Sequence, residues 1–380
     1  MNRIILIGNG FDLAHGLKTS YKDFIDWYWG QWGELLIKET TNTLTDGLCT
    51  FTLKTTREIP TWYHYGLSIN NPLESWNFQE VAEKIRQNKQ LCDFTYHSNF
   101  FKEICQSVEN KGWVDIENIY YSYLSKDDAE PEKLNEQLAI IRTKLIEYLN
   151  DVQTKVSKNL INNEILGKMK SEFSIKDISV SYMKQFSVTR DEFKRSQGKD
   201  KPFIPDKTFM LNFNYTTLAD LYFYDFKREA THIHGNLSKP ESVIFGYGDE
   251  LDENHKTIVN KNDNEYLRNI KSVKYLESSN YRHLLEFIES SPFQIFIMGH
   301  SCGNSDRTLL NTLFEHPNCV SIKSFYYKKE DGSDNYIELV QNIYRNFTDM
   351  KLMRNRVVNK EFCEPLLSKD TTQSTGEESK

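Results

Sequence analysis

The sequence lacks the patterns that mark secreted, zinc-binding and membrane proteins. It has 6 cysteines in 380 residues, and none forms a C-x-x-C pair, which argues against the common zinc modules and thioredoxin-type motifs. The N-terminus is only briefly apolar, unlike a secretory signal, and no apolar run reaches the roughly 20 residues that cross a bilayer. We therefore expect a cytoplasmic protein with reduced thiols and no membrane partner.

An excess of basic residues is also missing. The formal net charge is −7, so the chain has no overall positive field that would attract nucleic acid. The basic segment "KRSQGKDKP" at 194–202 is the only support for a nucleic-acid-directed toxin. A solvated loop is the preferred interpretation of that segment, so nucleic acid is not an expected partner. Hydrophobic residues make up 38% of the chain, as in a globular protein with a sizeable core.

Short apolar runs predict the strands of one sheet. They are "IILIG" (4–8), "TFMLNFNY" (208–215), "VIFGYG" (243–248), "FQIFIMGHS" (293–301) and "VSIKSFYY" (320–327). Buried parallel strands read as continuous apolar runs, unlike half-exposed strands, which alternate. A helical leucine pattern at 306–316 follows the fourth run after a glycine turn, which gives a strand–turn–helix unit. The predicted fold class is therefore α/β, with a Rossmann-like, open and mostly parallel sheet.

A long helical stretch interrupts these strands. Apolar residues three or four positions apart form one stripe within it: Leu134, Leu138, Ile141, Leu145 and Tyr148. This spacing is typical of an amphipathic helix. Because the strands resume afterwards, we predict a mainly helical insertion at 74–202 in a core made of residues 1–73 and 203–362. Residues 365–380 are polar and predict a disordered tail.

The first predicted strand runs into a glycine turn. Gly8, Asn9 and Gly10 follow the apolar run, and Phe11 and Asp12 come next. A glycine turn before a helix suits phosphate, because free N–H groups and the helix dipole attract anions. A dinucleotide fingerprint would need a third glycine three residues after the second, and the chain lacks it. We expect Asp12 to cap the turn or to bond a ribose hydroxyl.

Two further strand ends carry an amide and an imidazole. Asn214, followed by Tyr215, offers a donor and an acceptor for a ribose hydroxyl or a water; a turn Asn that bonds its own backbone is the alternative. His232 and His234 alternate in an extended segment, which predicts one face for both, and Gly235 admits a close neighbour. Histidine is the usual proton acceptor near neutral pH, with a hydrogen-bonded structural role as the alternative. A metal pair would lack a third ligand, so no metal is expected.

The run at 293–301 leads into a fourth turn. Gly299, His300 and Ser301 open this turn, and Asp306 follows. The spacing differs from G-x-S-x-G, which argues against a nucleophile elbow; a capped strand-to-helix turn is the plain alternative. Ligands of open α/β sheets bind at the carboxyl ends of the strands. The four polar strand ends together therefore predict one small-ligand site.

These motifs resemble those of a known family. "LIGNGFDLAHGLKTSYKDF", "WVDIE", "LNFNYT", "HIHGNL", "IFGYGDE" and "GHSCGNSDRTLLN" are similar to motifs of the AbiH family of bacteriophage abortive-infection proteins. The resemblance covers nearly the whole chain and implies a bacterial anti-phage effector that an unknown phage-derived trigger releases. Asp115 and Glu117 in "WVDIE" are interpreted as structural or ribose-contacting acids, since a magnesium site would need a third ligand. Whether the chain forms a homo-oligomer stays open.

The order of the motifs is also similar to that of the sirtuin-like NAD-binding domains of bacterial defence proteins. That resemblance implies that Asn214 and His234 form a catalytic pair that cleaves the bond between nicotinamide and ribose. It implies that NAD is contacted by residues of the four turns, namely Gly8, Asn9, Gly10, Phe11, Asp12, Tyr215, Gly235, Gly299, His300, Ser301 and Asp306. The sequence departs from that family at Thr216, where an acid is usual, and lacks the paired-cysteine ribbon of protein-deacylating sirtuins. The implied activity is NAD hydrolysis; the alternative is a module that binds NAD or a related nucleotide without cleaving it.

Overall fold

Six parallel strands form the sheet that carries the predicted strand ends. The structure is a computed structural model that describes residues 1–39, 41–54, 77–223, 230–248 and 250–368. The strands of this sheet are β1 (Asn2–Ile7), β5 (Thr208–Asn212), β6 (Thr231–His232), β7 (Phe293–Met298), β8 (Cys319–Tyr326) and β9 (Glu364–Pro365). Their order across the sheet is β6–β5–β1–β7–β8–β9, and all neighbours run parallel. The α/β class and the mostly parallel sheet are confirmed.

The first strand lies in the middle of this sheet. Ile5 pairs with Met210 of β5 on one side and with Phe296 of β7 on the other. All six residues of β1 are buried. Because helices and other segments also cover both faces of a parallel sheet, a central strand is buried on every side, which explains why the run at 4–8 has no polar side chain.

One of the five predicted strands is wrong. Residues 243–248 are irregular, and within them Tyr247 makes one isolated bridge, to Ile270. The reason is close packing, since a Cβ on Gly246 would lie 1.9 Å from the carbonyl oxygen of Asn269. The glycine therefore admits a neighbouring chain segment where a strand would place a side chain. The other four runs overlap β1, β5, β7 and β8.

The chain divides into two compact units. Unit 1 comprises Met1–Lys18, Val152–Asn260 and Asn269–Lys380, and unit 2 comprises Thr19–Asp151 and Lys261–Arg268. The helices of unit 1 are α1 (Asn9–Ala14), α7 (Asn163–Met169), α8 (Met183–Gln197), α9 (Leu218–Phe223), α10 (Glu253–Asn260), α11 (Lys271–Lys274), α12 (Asn280–Ser290), α13 (Arg307–Phe314), α14 (Tyr336–Arg345) and α15 (Met350–Arg356). The helices that begin in unit 2 are α2 (Tyr21–Lys38), α3 (Phe78–Gln87), α4 (Asn99–Lys111), α5 (Ile116–Leu124) and α6 (Pro131–Gln153). The helical stretch predicted at 74–202 thus contributes to both units.

Two apolar clusters cover the faces of the six-stranded sheet. One cluster joins Ile295 and Cys319 to side chains of α12 and α13. Val320 follows Cys319 and points to the opposite face, because successive strand residues alternate. There it packs with Phe186 of α8 and with Phe203. Because both faces of this sheet are covered, the ends of its strands remain as places for polar groups.

Unit 2 has an antiparallel sheet of its own. Its strands are β2 (Thr43–Thr45), β3 (Cys49–Leu53) and β4 (Cys92–Tyr96). Helices α2 and α3 approach closely, since a Cβ on Gly33 would lie 1.9 Å from the carbonyl oxygen of Phe78. Asp115 caps α5, and its Oδ1 accepts the N–H of Asn118 at 3.0 Å, as expected for a structural acid.

The end of the chain is ordered further than the sequence suggests. A disordered tail is predicted at 365–380, yet Pro365 pairs with Tyr326 and Leu366 is buried. Residues 369–380 lie outside the described residues, as does the predicted boundary between 73 and 74. Among the residues that the structure describes, no helix has the length and apolar character needed to span a bilayer.

Candidate functional site

The turns after β1 and β7 interlock through three glycines. A Cβ on Gly8 would lie 2.5 Å from the Cα of His300, and a Cβ on Gly10 would lie 2.9 Å from the carbonyl oxygen of Gly299. Gly299 has a φ of +77°, and a Cβ there would lie 2.0 Å from the amide nitrogen of Phe11. No side chain fits at these distances, so the packing of the two turns requires the three glycines.

We expect Gly299→Ala to lower the free energy of unfolding by about 3 kcal/mol, because the left-handed backbone and the clash with Phe11 both act against alanine. Chemical denaturation of the purified variant measures this loss. Gly332→Ala is the matched control: its φ is +88°, but nothing lies within 4 Å of the added Cβ. That control should lose only about 1 kcal/mol, and equal losses would contradict a tight contact between the turns.

The same contacts engage N–H groups of the predicted phosphate turn. The N–H of Gly10 donates to the carbonyl oxygen of Gly299 at 2.8 Å, and the N–H of Phe11 donates to that of Gly8 at 2.8 Å. Helix α1, which begins at Asn9, is only 6 residues long. In this conformation the N–H groups of Gly10 and Phe11 serve the protein, so a bound phosphate would need other donors.

Asn214 is fixed in place by Asp12. Its side-chain nitrogen donates to the carbonyl oxygen of Gly8 at 3.1 Å and to Oδ1 of Asp12 at 2.8 Å. Oδ2 of Asp12 accepts the hydroxyl of Thr216 at 2.6 Å. Because carbonyl and carboxylate oxygens only accept, the amide nitrogen must face them. The Oδ1 of Asn214 makes no hydrogen bond to another described residue, so it remains an acceptor for a water or a ligand hydroxyl.

The buried carboxyl of Asp12 makes stability depend on pH. Burial raises its pKa to about 6, although hydrogen bonds from Thr216 and Asn214 lower it. The unfolded chain ionises Asp12 near pH 4 and the folded chain near pH 6, so the folded state loses stability as pH rises through this window. Between pH 4 and pH 7 the wild type should lose about 3 kcal/mol relative to Asp12→Asn. Denaturation curves of both proteins test this, and a pH-independent difference would contradict it.

His232 and His234, which the sequence predicts to lie on one face, have different partners. Strand β6 ends at His232 and the chain then turns, so the prediction of one face for both histidines is wrong. Nε2 of His232 lies 3.1 Å from Oδ2 of Asp220, and its Nδ1 lies 3.1 Å from the carbonyl oxygen of Asn214. His232 therefore supports the turn that carries Asn214.

His234 belongs to a separate, buried cluster. Its Nε2 lies 3.1 Å from the hydroxyl of Tyr275 and 3.1 Å from Oδ1 of Asp306. Burial, followed by the charge of Lys271, lowers the pKa of His234 to about 4, while Asp306 acts to raise it. The imidazole is therefore neutral at pH 7. Nε2 faces a carboxylate and carries the hydrogen, so Nδ1 holds the lone pair, and Nδ1 has no hydrogen bond to any residue in the described part of the chain.

Lys271 is a member of this cluster that the sequence does not reveal. Its Nζ lies 2.8 Å from Oδ1 of Asp306, and its side chain is 1% exposed. Burial acts to raise the pKa of Asp306, but Lys271 and, after it, His234 together lower this pKa by more. The pKa of Asp306 therefore lies well below its usual range. The sequence signal that could have pointed to Lys271 is the motif "IFGYGDE", because Tyr247 within it accepts the N–H of Lys271 on its carbonyl oxygen at 2.9 Å.

The turn after β7 contributes His300 to the same cluster. Nδ1 of His300 accepts the N–H of Cys302 at 3.0 Å, and its Nε2 lies 3.6 Å from Oδ2 of Asp306. Cys302 has a φ of +55°, a left-handed conformation that non-glycine residues rarely adopt. Ser301 is exposed, and its carbonyl oxygen accepts from Asn342 at 2.9 Å. The turn thus directs His300 inward and Ser301 outward.

Tyr215 and Gly235 hold the chain segments that flank the cluster. The hydroxyl of Tyr215 donates to the carbonyl oxygen of Ile244 at 2.9 Å. Gly235 has a φ of +76°, and a Cβ there would lie 2.1 Å from the carbonyl oxygen of Ser242. Both residues therefore have a structural task, and their contacts with NAD stay a prediction.

Phe213 joins the two groups of polar residues. Its ring centroid lies 5.3 Å from that of His234 and 4.1 Å from that of His300, and the next residue in the chain is Asn214. Asn214 and His234 therefore lie in adjoining groups at the carboxyl ends of β5 and β6, without a direct hydrogen bond between their side chains.

A comparison with protein families adds to this geometry. The model of the family described as "Bacteriophage abortive infection AbiH" matches residues 4–328. The matched residues run from β1 to the end of β8 and contain all of the predicted site. Comparisons with curated proteins and with solved structures gave no significant match.

Proposed function

Since the chain belongs to the AbiH family of bacteriophage abortive infection proteins, we propose that it serves this defence by hydrolysing NAD at the carboxyl edge of its six-stranded sheet. The family supplies the role in defence against phage. The chemistry is proposed from the strand order, from the state of His234 and from the fixed amide of Asn214.

The strand order supports a nucleotide ligand. Counted in chain order within the six-stranded sheet, the strands lie in the order 3-2-1-4-5-6, which is typical of doubly wound dinucleotide-binding folds. In such sheets the ligand binds outside the carboxyl ends of the first and fourth strands, where the order reverses. Here these strands are β1 and β7, whose turns contain Gly8 and Gly299. The arrangement is in keeping with a Rossmann-like, sirtuin-like core, as the motif resemblance implies.

The observation that carries the proposal is the state of His234. Its imidazole is neutral at pH 7 and is oriented through Nε2 by Asp306. It can accept a proton on Nδ1, as a general base must. In the adjoining turn, Asn214 offers an acceptor that Asp12 holds in a single orientation. A base and a fixed amide acceptor are the groups that would direct a water at a ribose carbon.

The proposed reaction consumes one water for each NAD. The bond between ribose C1′ and the nicotinamide nitrogen breaks, and nicotinamide leaves as a neutral base with the bonding electron pair. The oxygen of the water bonds to C1′, and one of its protons passes to Nδ1 of His234. The products are nicotinamide, ADP-ribose and a proton that the imidazole later releases to solvent. Because the electron-poor ribose carbon acidifies the incoming water, a weakly basic imidazole is a sufficient acceptor.

Purified protein incubated with NAD tests this proposal. We expect nicotinamide and ADP-ribose to appear in equal amounts, measured by chromatography, after addition of extract from phage-infected cells to supply the trigger. Extract from uninfected cells is the control. Intact NAD under every trigger, with the protein folded, would contradict hydrolysis.

A binding module without catalysis is the second candidate, and Thr216 favours it. Where related domains have an acid, Thr216 donates its hydroxyl to Asp12 and supplies no further carboxylate. In this case the bound nucleotide would be a signal, and the helical unit 2 would respond to it. Calorimetry with NAD and with ADP-ribose separates the two functions, because a module binds without turnover. A homo-oligomer and the phage-derived trigger are partners that either function accommodates.

A further inference from the structure

One oxygen of Asp306 has two nitrogen neighbours, the ammonium of Lys271 and the imidazole of His234. Nζ of Lys271 lies 2.8 Å from Oδ1 of Asp306, and Nε2 of His234 lies 3.1 Å from the same atom. All three side chains are buried, with exposures of 1% for Lys271, 6% for His234 and 11% for Asp306. A single carboxylate can balance only one positive charge in such a place, so the protonation of His234 depends on Lys271.

The fold places Lys271 through the glycines of "IFGYGDE". A Cβ on Gly246 would lie 1.9 Å from the carbonyl oxygen of Asn269, so the glycine is what allows this close approach. A Cβ on Gly248 would lie 3.2 Å from that of Lys271, which is closer than side chains usually pack, so the glycine eases the approach of the two segments. The N–H of Tyr247 donates to the carbonyl oxygen of Asn269 at 3.1 Å, and the carbonyl oxygen of Tyr247 accepts the N–H of Lys271 at 2.9 Å. These two hydrogen bonds fix the segment. The position of the ammonium is therefore built into the chain.

We propose that Lys271 is a positioning residue of the site, whose ammonium balances Asp306 so that the carboxylate orients His234 without placing a second proton on the imidazole. This inference rests on the proposed function only in taking His234 as the base. Among the described residues, the other titratable groups that face His234 are the hydroxyl of Tyr275 and the imidazole of His300, whose Nδ1 accepts an N–H.

The physical reason is the charge balance of a buried site. If Lys271 is replaced by a neutral residue, Asp306 is left as a buried anion, which attracts a proton. A proton on Nδ1 of His234 would give that anion a counter-charge, because Nε2 of the same ring lies 3.1 Å from Oδ1 of Asp306. The resulting imidazolium cannot take a proton from water. With Lys271 present, burial and the ammonium both keep the pKa of His234 low. Lys271 thus decides whether the imidazole is a base or an ion-pair partner.

Histidine titration by NMR tests the inference without any NAD. In Lys271→Met we expect the titration midpoint of His234 to rise by at least about one pH unit, with its signal assigned by comparison with His234→Gln. Lys271→Arg keeps the charge and should leave the midpoint low. Lys274→Met is the matched control, since Lys274 is on the same short helix but pairs with the exposed Glu277.

Further outcomes decide the matter if Lys271→Met folds poorly. The double variant Lys271→Met/Asp306→Asn carries neither buried charge, and its His234 midpoint should return to the low value. An unmoved midpoint in folded Lys271→Met, or a proton that settles on His300, overturns the inference. If the wild-type protein hydrolyses NAD, the acid limb of the pH–rate profile of Lys271→Met should move to higher pH together with the titration midpoint of His234. A shifted midpoint without any hydrolysis by the wild type would uphold the charge arrangement and reject the proposed function.

Discussion

Replacing His234 with alanine is expected to slow NAD hydrolysis by about 10²–10⁴-fold. The substitution removes the atom that accepts the proton of the attacking water, and alanine offers no substitute. The glycine contacts between the turns after β1 and β7 do not involve this side chain, so binding of ADP-ribose should persist. Release of nicotinamide, followed by chromatography, measures the rate, and calorimetry measures the binding.

The control for this result is His283→Ala, because His283 is an exposed histidine of α12 outside the cluster. Its rate should equal that of the wild type. Since His234 is buried, thermal unfolding should accompany the assay and show a folded variant. An undiminished rate in folded His234→Ala would remove the imidazole from the mechanism.

The largest loss of stability is expected from Asp306→Ala, at about 3–5 kcal/mol. This change leaves the ammonium of Lys271 buried without its carboxylate. Because the folded-state pKa of Asp306 is depressed, its contribution is complete above about pH 4 and is lost as pH falls further. The gap between the wild type and the variant should therefore narrow in acid. Denaturant unfolding at pH 7 and at pH 3.5 measures both effects.

Glu277→Ala is the comparison for this prediction. Glu277 pairs with Lys274 at 2.7 Å but is 63% exposed, and an exposed ion pair contributes less than about 1 kcal/mol. The double variant Asp306→Ala/Lys271→Met should be more stable than Asp306→Ala alone, because it also removes the buried ammonium of Lys271. A loss in Asp306→Ala no larger than that in Glu277→Ala would mean that the ion pair of Asp306 is not buried in solution.

The sheet was predictable because burial on both faces leaves a plain mark on the sequence. The runs around Ile5, Met210 and Phe296 are mostly apolar, and they form adjacent parallel strands. The run at 243–248 has a similar composition but forms no strand. What decides its structure is the backbone of Asn269 against Gly246, a contact between distant segments that local composition does not record.

The site was predictable in its residue types but not in its connections. Asp12 and Asn214 were both candidates from their strand ends, yet the sequence gives no reason to bond one to the other. Lys271 was missed because it lies in a short polar helix without a motif of its own. Its role comes from Asp306, further along the chain, and from tertiary packing that buries both. Charge pairs of this kind follow from the fold and leave no periodic signal.

We propose that this member of the AbiH family defends against phage by consuming NAD at His234. The most direct measurement is the NAD content of bacteria that make either the wild type or His234→Ala, before and after phage infection. We predict that NAD falls only in infected cells with the wild type, and that only those cells restrict the phage. Restriction of the phage by the wild type while its NAD content stays equal to that of the His234→Ala cells would contradict the account.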